Sequence, residues 1–217
     1  MIIVLLGPPG AGKGTQGELL ATRLGIPKIA TGDLFRAAVR DGTPLGIEAK
    51  KYMDCGDLVP DSVILGILRD AMASPEAAGG AILDGAVRTV PQAEGLAKVL
   101  KSIDRKVDAV LLFDANHSEL IRRLSSRTTC DICQTPFKGF DPGTSCPRND
   151  GGRLIRRKDD EPEAIQNRLN VYEELTAPVV AWYQTHDVPV ERIDAIGDVT
   201  DVTLRAAEAL KHVPRAD

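Results

Sequence analysis

A glycine-rich segment between an apolar run and a helical pattern constrains this chain most. Residues 7–15 read Gly-Pro-Pro-Gly-Ala-Gly-Lys-Gly-Thr and contain the spacing G-x-x-x-x-G-K, directly after the apolar run Ile2–Leu6. Glycines let backbone N–H groups turn toward one centre, and a following helix adds positive potential at its N-terminus. The segment therefore predicts a phosphate-binding loop. The alternative is a glycine-rich turn that carries a lysine by chance.

Lys13 and the residues after it set the chemistry of this loop. The lysine carries a mobile point charge that can hold the outer phosphates of a nucleotide. The pattern departs from the usual one at Gly14, which stands where Ser or Thr normally follows the lysine, and Thr15 comes one position later.

Asp84 is a candidate for holding a metal ion near this loop. It ends the apolar run 81–83 and precedes Gly85. An acid at the carboxyl end of a buried strand, beside a phosphate loop, can hold Mg²⁺ through water. The alternative is an aspartate that caps a helix or stabilises a turn.

Short apolar runs alternate with helical patterns along most of the chain. The runs are rich in Val, Ile and Leu, which is typical of strands buried on both faces of a sheet. We predict strands over 2–6, 81–83, 107–113 and 188–193. We predict helices over 13–24, 62–72, 91–102, 118–125, 162–186 and 198–211. The alternation favours an α/β fold, a mostly parallel sheet flanked by helices on both faces.

Composition limits the partners of such a fold. With 217 residues, the chain is long enough for one sizeable core and small insertions. The formal net charge of −4 argues against a protein that coats nucleic acid. The apolar run at the start is too short to span a bilayer, and it lacks the features of a signal peptide. We therefore expect a cytoplasmic protein with no membrane or nucleic-acid partner.

Several short motifs follow the loop in a fixed order and spacing. Together with the loop they resemble adenylate kinases of the long-lid bacterial type, over essentially the whole chain. The motifs are 7–15, 31–36 (TGDLFR), 56–61 (GDLVPD), 83–85 (LDG), 88–89, 92–93, Arg123, Arg127, 157–160 (RKDD) and 168–169. The resemblance implies the reaction MgATP + AMP ⇌ MgADP + ADP, with ATP, AMP and ADP as partners and Mg²⁺ accompanying ATP. It also suggests a monomer.

The same resemblance divides the chain into three parts. Residues 1–29, 60–125 and 162–217 would form the core P-loop kinase domain, 30–59 an insertion that binds AMP, and 126–161 a lid over ATP. Within the two insertions, Gly, Pro and Asp interrupt the rhythm of strands and helices. We expect both insertions to close over the substrates, because a kinase of small phosphates must exclude water.

Arginines dominate the residues that the resemblance places in the site. Phosphoryl transfer spreads negative charge over the moving group, so catalysis needs positioning and cationic stabilisation. The resemblance implies catalytic roles for Lys13, Asp84, Arg88, Arg123, Arg157 and Arg168. It implies contacts with ATP for Gly10, Ala11, Gly12, Lys13, Gly14, Thr15, Arg127, Pro136, Phe137 and Gly197. It implies contacts with AMP for Thr31, Gly32, Arg36, Asp57, Leu58, Val59, Gly85, Ala86, Val87, Arg88, Gln92, Arg157 and Arg168. It also makes Asp159 the lid acid that pairs with an arginine on closure.

The chain departs from the family at Ala86 and Val87, where Phe-Pro is usual. A cis bond before Val87 would cost about 2.5–4 kcal/mol, so we expect a trans bond and a local shift of the backbone that aims Arg88. The lost phenyl ring also removes apolar contact area near the AMP pocket. We therefore expect weaker AMP binding or turnover than a Phe-Pro version would have.

The cysteines predict a zinc site. Cys130 and Cys133 have the spacing of a zinc half-site, twelve residues separate Cys133 from Cys146, and three more separate Cys146 from Asp150. The resembled lid has its fourth ligand here, and its usual spacing would select Asn149. We expect Asp150 instead, because amide ligation of zinc is unusual. Four protein ligands would make the Zn²⁺ structural, and the alternative is a metal-free lid with reduced thiols.

Three other functions remain open at this point. A kinase of another nucleoside monophosphate (UMP/CMP or GMP) is the nearest, although Gly32 and Gln92 suit adenine in the resembled pocket. A nucleotide-binding protein with weakened turnover, because of Ala86 and Val87, is the second. A nucleic-acid-binding zinc knuckle has only a few basic residues around 148–158 to support it.

Overall fold

The computed structural model describes residues 1–213, and its centre is a five-stranded parallel sheet. In order across the sheet, the strands are β2 (Lys28–Ala30), β3 (Ala81–Asp84), β1 (Ile2–Leu6), β4 (Ala109–Asp114) and β8 (Val190–Asp194). The sequence predicted four of them to within two residues at each end. It missed β2, because three residues are too few to show a period.

Helices connect the strands and cover both faces of the sheet. Outside residues 30–59 they are α1 (Lys13–Leu24), α4 (Asp61–Met72), α5 (Val90–Lys101), α6 (His117–Ser125), α7 (Pro162–Val171), α8 (Ala177–Thr185) and α9 (Val199–Ala209). Short 3₁₀ turns occupy Pro75–Ala77, Lys158–Asp160 and Leu210–His212. None of the helices between residues 1 and 213 combines the length and apolar character that crossing a membrane requires.

The helix predicted over 162–186 is interrupted. A π-helical turn, Tyr172–Thr176, separates α7 from α8. Its cause is Pro178, which lacks a backbone N–H and whose ring would clash with the carbonyl of Glu174 in a regular helix. The wider turn avoids that clash without ending the helical rod.

The sheet separates two apolar cores. Along β1, Ile2, Val4 and Leu6 belong to one core, whereas Ile3 and Leu5 belong to the other. All five are buried, because successive side chains of a strand point to opposite faces and helices cover each face. The predicted α/β class, a parallel sheet flanked by helices, is confirmed.

Segment 30–59 is helical. It contains α2 (Thr31–Arg40) and α3 (Pro44–Met53), which pack on each other. Thr43 caps α3 by accepting a hydrogen bond from the backbone N–H of Gly46 at 3.1 Å. A Cβ at Gly46 would lie 2.1 Å from the carbonyl oxygen of Ala38, so glycine permits the close approach of the two helices.

Segment 126–161 carries a second, antiparallel sheet. Its strands, in order across the sheet, are β6 (Pro136–Lys138), β5 (Arg127–Cys130) and β7 (Leu154–Ile155). The sequence predicted an insertion here but none of these strands, which are too short to alternate visibly. The buried residues of this segment that cluster together are Cys130, Cys146 and Leu154. Such a small core gives little apolar stabilisation of its own.

Candidate functional site

The predicted phosphate loop connects β1 to α1 at the carboxyl edge of the parallel sheet. Gly7 has φ +138°, and a Cβ there would lie 2.3 Å from the carbonyl oxygen of Phe113 in β4. Gly12 occupies the N-cap position of α1 with φ +92° and offers no side chain to cap the helix. The first turn of α1 also holds no acidic residue. The positive end of α1 is therefore left for an external anion.

Lys13 lies inside this loop. Its Nζ donates to the carbonyl oxygens of Gly7 at 2.6 Å and Pro8 at 3.0 Å. Burial lowers the pKa of the ammonium group to about 8, and the neighbouring carboxylate of Asp84 opposes this shift. Arg88 and Arg168 lower the pKa further, so both lie within electrostatic reach of the lysine.

Asp84 ends β3 beside the start of α1. A Cβ on Gly14 would lie 3.3 Å from Oδ2 of Asp84, which is a tight contact. The glycine that replaces the usual Ser or Thr thus gives the carboxylate room against the loop. This placement matches the candidate role in holding Mg²⁺ through water.

Positive side chains collect beyond the loop. Burial lowers the pKa of Arg88, and Arg168 and Arg36 lower it further. Burial also lowers the pKa of Arg157 to about 9, and again Arg36 contributes. Within residues 1–213 the Arg88 guanidinium makes no ion pair, and the buried Nε atoms of Arg36 and Arg157 have no hydrogen-bond partner. Buried donors without partners are costly, so this cluster is built to receive an anion.

Two aspartates hold part of this cluster. Asp159 accepts from Arg168 at 2.9 Å, which agrees with the expected pairing of a lid acid with an arginine. Asp160 is fully buried and accepts from Arg127 at 2.8 and 2.5 Å and from Arg168 at 3.1 Å. Sequence reasoning assigned no role to Asp160; its place beside Asp159 in the RKDD motif was the available signal.

Arg123 is in α6, and its side chain reaches the phosphate loop. Its Nε donates to Glu119 at 2.7 Å and its Nη2 to the carbonyl oxygen of Ala195 at 2.8 Å, while Nη1 lies 3.5 Å from the carbonyl oxygen of Gly10. Glu119 was also missed, although its spacing of four residues from Arg123 on one helix indicated a pair. The contact with Gly10 places this arginine at the loop.

A cavity contains most of the residues expected to bind AMP. Its lining consists of Thr31, Gly32, Phe35, Arg36, Met53, Gly56, Asp57, Leu58, Val59, Ile64, Arg88, Asp159 and Arg168. Ala86 and Val87 do not line it, since they are buried in the core at 0% and 2% exposure. The bond before Val87 is trans, as expected.

Gln92 and Gly85 lie behind this cavity. Oε1 of Gln92 accepts from the backbone N–H of Arg88 at 2.7 Å, and its Nε2 donates to Asp61 at 2.7 Å. The carbonyl oxygen of Gly85 accepts from the hydroxyl of Thr31 at 2.8 Å. Both residues therefore hold the strand-to-helix turn that carries Arg88.

The remaining candidates for ATP contact lie in two places. Pro136 and Phe137 are in β6, paired with β5, the strand that begins at Arg127. Gly197 follows β8 in a bend with φ +111°. Glycine is required at this bend, because L side chains rarely adopt such a φ.

Segments 30–59 and 126–161 contact each other. Nη1 of Arg40 donates to the carbonyl oxygen of Ile132 at 3.2 Å, and Nζ of Lys158 lies 3.6 Å from Oδ2 of Asp54. The arrangement is therefore a closed one, with both insertions brought together.

The four residues predicted to bind zinc form a cluster. One ligand atom from each of Cys130, Cys133, Cys146 and Asp150 lies within 4.8 Å of every other. The two sulfur atoms of Cys133 and Cys146 are 3.8 Å apart. Tetrahedral Zn–S bonds of about 2.3 Å would separate two sulfur atoms by about 3.8 Å. The donor set and its spacing thus fit zinc.

Backbone N–H groups also point at these sulfur atoms. Ile132 and Cys133 donate to Sγ of Cys130 at 3.3 and 3.4 Å, and Arg148 donates to Sγ of Cys146 at 3.4 Å. Burial raises the pKa of both thiols, and these hydrogen bonds oppose that shift, so they favour the thiolate form that a metal ion requires. The turn after Cys146, with Asn149 at φ +53°, brings Asp150 into the cluster, with its carboxylate oxygens 3.3 and 3.5 Å from Sγ of Cys130.

A larger groove, about 680 Å³, lies at the opposite edge of the sheet, beside Met1 and Ile2. Ligands of open parallel sheets bind outside the carboxyl ends of the strands, and this groove is at the amino ends. It contains none of the sequence motifs.

The class follows from a phosphate loop at the carboxyl edge of a parallel sheet and from the Nε donors of Arg36 and Arg157, which have no hydrogen-bond partner within residues 1–213: a P-loop phosphotransferase. Comparison with known proteins gives the family. The adenylate kinase family model matches residues 5–188. The chain is 60% identical over 212 residues to the adenylate kinase of Gemmatimonas aurantiaca, which covers 97% of this chain and 99% of that protein. The chain belongs to the adenylate kinase family and is an enzyme, a nucleoside monophosphate kinase.

More distant relatives agree. The adenylate kinase of Salinispora tropica is 49% identical over 214 residues, covering 97% of this chain and 98% of that protein. The adenylate kinase of Methanothrix thermoacetophila is 46% identical over 204 residues, covering 93% and 94%. The similarity thus extends over nearly the full length of each protein.

Proposed function

We propose that this protein catalyses reversible phosphoryl transfer, MgATP + AMP ⇌ MgADP + ADP, and so maintains the balance of adenine nucleotides. The observation that carries the proposal is a group of arginines with free guanidinium donors: within residues 1–213 the buried Nε atoms of Arg36 and Arg157 have no hydrogen-bond partner, and the Arg88 guanidinium makes no ion pair. Arg36 lies within electrostatic reach of Arg88 and Arg157, and Arg88 within reach of Lys13. Two phosphate chains meeting between them would supply the missing negative charge.

On the ATP side, the loop backbone from Gly10 to Thr15 would surround the β- and γ-phosphates, and Lys13 would move from the carbonyls of the loop to the phosphates. Arg123, which contacts the carbonyl oxygen of Gly10, would stabilise the negative charge of the phosphoryl group during its transfer. Arg127, Pro136, Phe137 and Gly197 would enclose the base. Support for this assignment is the position of these residues in the resembled motifs.

On the AMP side, Arg36 and Arg88 would hold the phosphate in the cavity of segment 30–59. Thr31, Gly32 and the stretch 57–59 would hold the nucleoside. The turn before Arg88 would be held in place by residues that lie behind the cavity, namely Gly85, Ala86, Val87 and Gln92. Arg157 and Arg168 would span both phosphates, because each is close to Arg36 and to the pair Asp159 and Asp160.

We also propose that the chain divides into three parts. Residues 1–29, 60–125 and 162–217 would be the core, 30–59 the AMP-binding insertion and 126–161 the lid. The contacts of Arg40 with Ile132 and of Lys158 with Asp54 support a closed state in which the insertions meet. Closure would exclude water, so that the γ-phosphate passes to AMP and not to water.

Mg²⁺ would arrive with ATP, and Asp84 would hold it through water. When bound, the cation neutralises charge on the transferring phosphates. The carboxylate of Asp84 beside Gly14 and Lys13 supports this assignment.

Zn²⁺ would be structural in the lid. Cys130, Cys133, Cys146 and Asp150 would hold it, with no ligand position left open for a substrate. A structural metal would supply what the small core of the lid lacks. Reduced thiols and a nucleotide pool both suit the cytoplasm. The family resemblance suggests that the protein is a monomer.

Initial rates with a panel of acceptors test the proposed reaction. The purified protein is given MgATP with AMP, GMP, CMP or UMP, and nucleoside diphosphate formation is measured. We expect AMP to give the highest kcat/KM. Faster conversion of GMP, CMP or UMP would make the protein a kinase of that nucleotide instead.

A further inference from the structure

Thr176 is a buried polar residue to which the reaction scheme gives no role. Its hydroxyl donates to the carbonyl oxygen of Arg88 at 2.8 Å, although the two residues are 88 positions apart. Thr176 is only 6% exposed, whereas Leu175 beside it is 45% exposed. A helix that packed for apolar burial alone would turn the leucine inward and the threonine outward. The inverted order indicates that this position supplies a hydrogen bond.

The backbone explains how the threonine reaches Arg88. Thr176 ends the π-helical turn Tyr172–Thr176, in which the N–H of Ala177 donates to the carbonyl of Tyr172. The turn adds one residue to a helical repeat and rotates the residues around it, and such turns are frequent at functional sites. Pro178 causes the turn.

The main chain of Arg88 is held on both sides. Its N–H donates to Gln92 at 2.7 Å, and its carbonyl accepts from Thr176. Its guanidinium, by contrast, has no ion-pair partner within residues 1–213. Backbone hydrogen bonds therefore fix the direction of this arginine, since no partner of the side chain does.

Ala86 and Val87 increase the need for such hydrogen bonds. Gly85 turns the chain with φ +67°, and the next two residues carry no proline ring to restrict φ before Arg88. Side chains outside the turn must then limit its freedom.

We propose that Thr176 is a positioning residue for Arg88, fixing the carbonyl of Arg88 so that the guanidinium is aimed at the AMP phosphate. This inference rests on the proposed role of Arg88 in AMP binding. Thr176 does not line the cavity expected to bind AMP, so we expect its removal to act through the arginine.

Two substitutions test the hydrogen bond. Thr176→Val keeps the branched shape and removes the donor, and we expect the KM for AMP to rise about five- to tenfold, the effect of one lost hydrogen bond. The KM for MgATP should stay unchanged. Thr176→Ser keeps the donor and should stay within about twofold of the wild type, well below the effect of that lost bond. If Thr176→Val does not fold, Thr176→Ala compared with Thr176→Ser makes the same test.

Thr185→Val is the matched control. The hydroxyl of Thr185 donates at 2.8 Å to the carbonyl of Trp182 within its own helix, so the same chemical change is made away from Arg88. We expect neither KM to change in this variant. A rise in the KM for AMP in Thr185→Val equal to that in Thr176→Val would overturn the proposal, as would equal rises for AMP and MgATP in Thr176→Val.

Arg88→Ala separates this proposal from the proposed function. An increased KM for AMP in Arg88→Ala, with a normal value in Thr176→Val, would overturn the role of Thr176 alone. A normal value in Arg88→Ala would overturn the role of Arg88 and that of Thr176 with it. In the double variant we expect Thr176→Val to add nothing to the effect of Arg88→Ala; a further increase would show that Thr176 acts elsewhere.

Discussion

At the scale of single residues, Lys13 shows how burial adapts an ordinary group to a phosphate site. The folded protein lowers the pKa of Lys13 from near 10.5 to about 8 because burial removes water from the ammonium group. The direction of this shift determines how the stability of the folded protein depends on pH. The buried charge opposes folding below about pH 8, and the cost disappears as pH rises toward 10.5.

The pH dependence of ATP use follows from this shift. Because only the charged lysine attracts phosphate, kcat/KM for MgATP should fall as pH rises through about 8. Bound phosphates raise the pKa again, so kcat should persist to higher pH. Initial rates between pH 6 and about 10 check this, with Lys13→Arg as the control, since arginine stays charged throughout. A wild-type profile that is flat to pH 10 would contradict the explanation.

The pair Ala86 and Val87 gives a second prediction for single residues. Replacing them by Phe-Pro should lower the KM for AMP or raise kcat, because proline restricts the turn before Arg88 and the ring adds contact area. The two residues are buried in the core, so the same change should lower the melting temperature by overpacking. Steady-state kinetics and thermal unfolding measure both. Unchanged KM and kcat for AMP would contradict this prediction.

At the scale of elements, the lid depends on its proposed metal site. Asp150→Ala leaves three zinc ligands in place of four, so zinc should be lost more readily to a competing chelator. The temperature at which the lid unfolds should also fall, because the small core of the lid gives little stability without the metal. Zinc content and thermal unfolding are the measurements. Asn149→Gly is the matched control, since glycine keeps the left-handed backbone at this position. Loss of zinc in Asn149→Gly, but not in Asp150→Ala, would reverse the choice of fourth ligand.

Sequence reasoning was most successful for elements with a clear period. The strand Ile2–Leu6 and the helix Lys13–Leu24 were predicted with their observed bounds. The lid strands were missed because β7 has two residues and β6 three, which is too short for alternation to appear. The interruption at Tyr172–Thr176 was missed because the apolar pattern continues through it, although Pro178 marked the position.

The candidate site shows the same limit for a different reason. Motifs placed the loop and the arginines in one region, but they did not reveal which partners hold each side chain. Asp160, Glu119 and Thr176 interact with residues that are 33, 4 and 88 positions away. Of these, only the Glu119 pair lies within one helix, where spacing alone can indicate it. The others depend on tertiary packing.

At the scale of the whole molecule, positive side chains from three segments lie within electrostatic reach of one another. Segment 30–59 contributes Arg36, segment 126–161 contributes Arg157, and the core contributes Lys13 and Arg88. Like charges from three parts of the chain repel one another in the absence of anions. A closed molecule with this charge distribution is therefore suited to hold substrates with several phosphates and to exclude water around them.

The fate of the γ-phosphate tests this account most directly. The protein is mixed with MgATP labelled in the γ-phosphate and with AMP, and the label is traced among ATP, ADP and inorganic phosphate. We predict that the label appears in the β-phosphate of ADP, with almost none in inorganic phosphate, and that Lys13→Ala abolishes the transfer. Label released mainly as inorganic phosphate, or nucleotide bound without any transfer, would contradict the account.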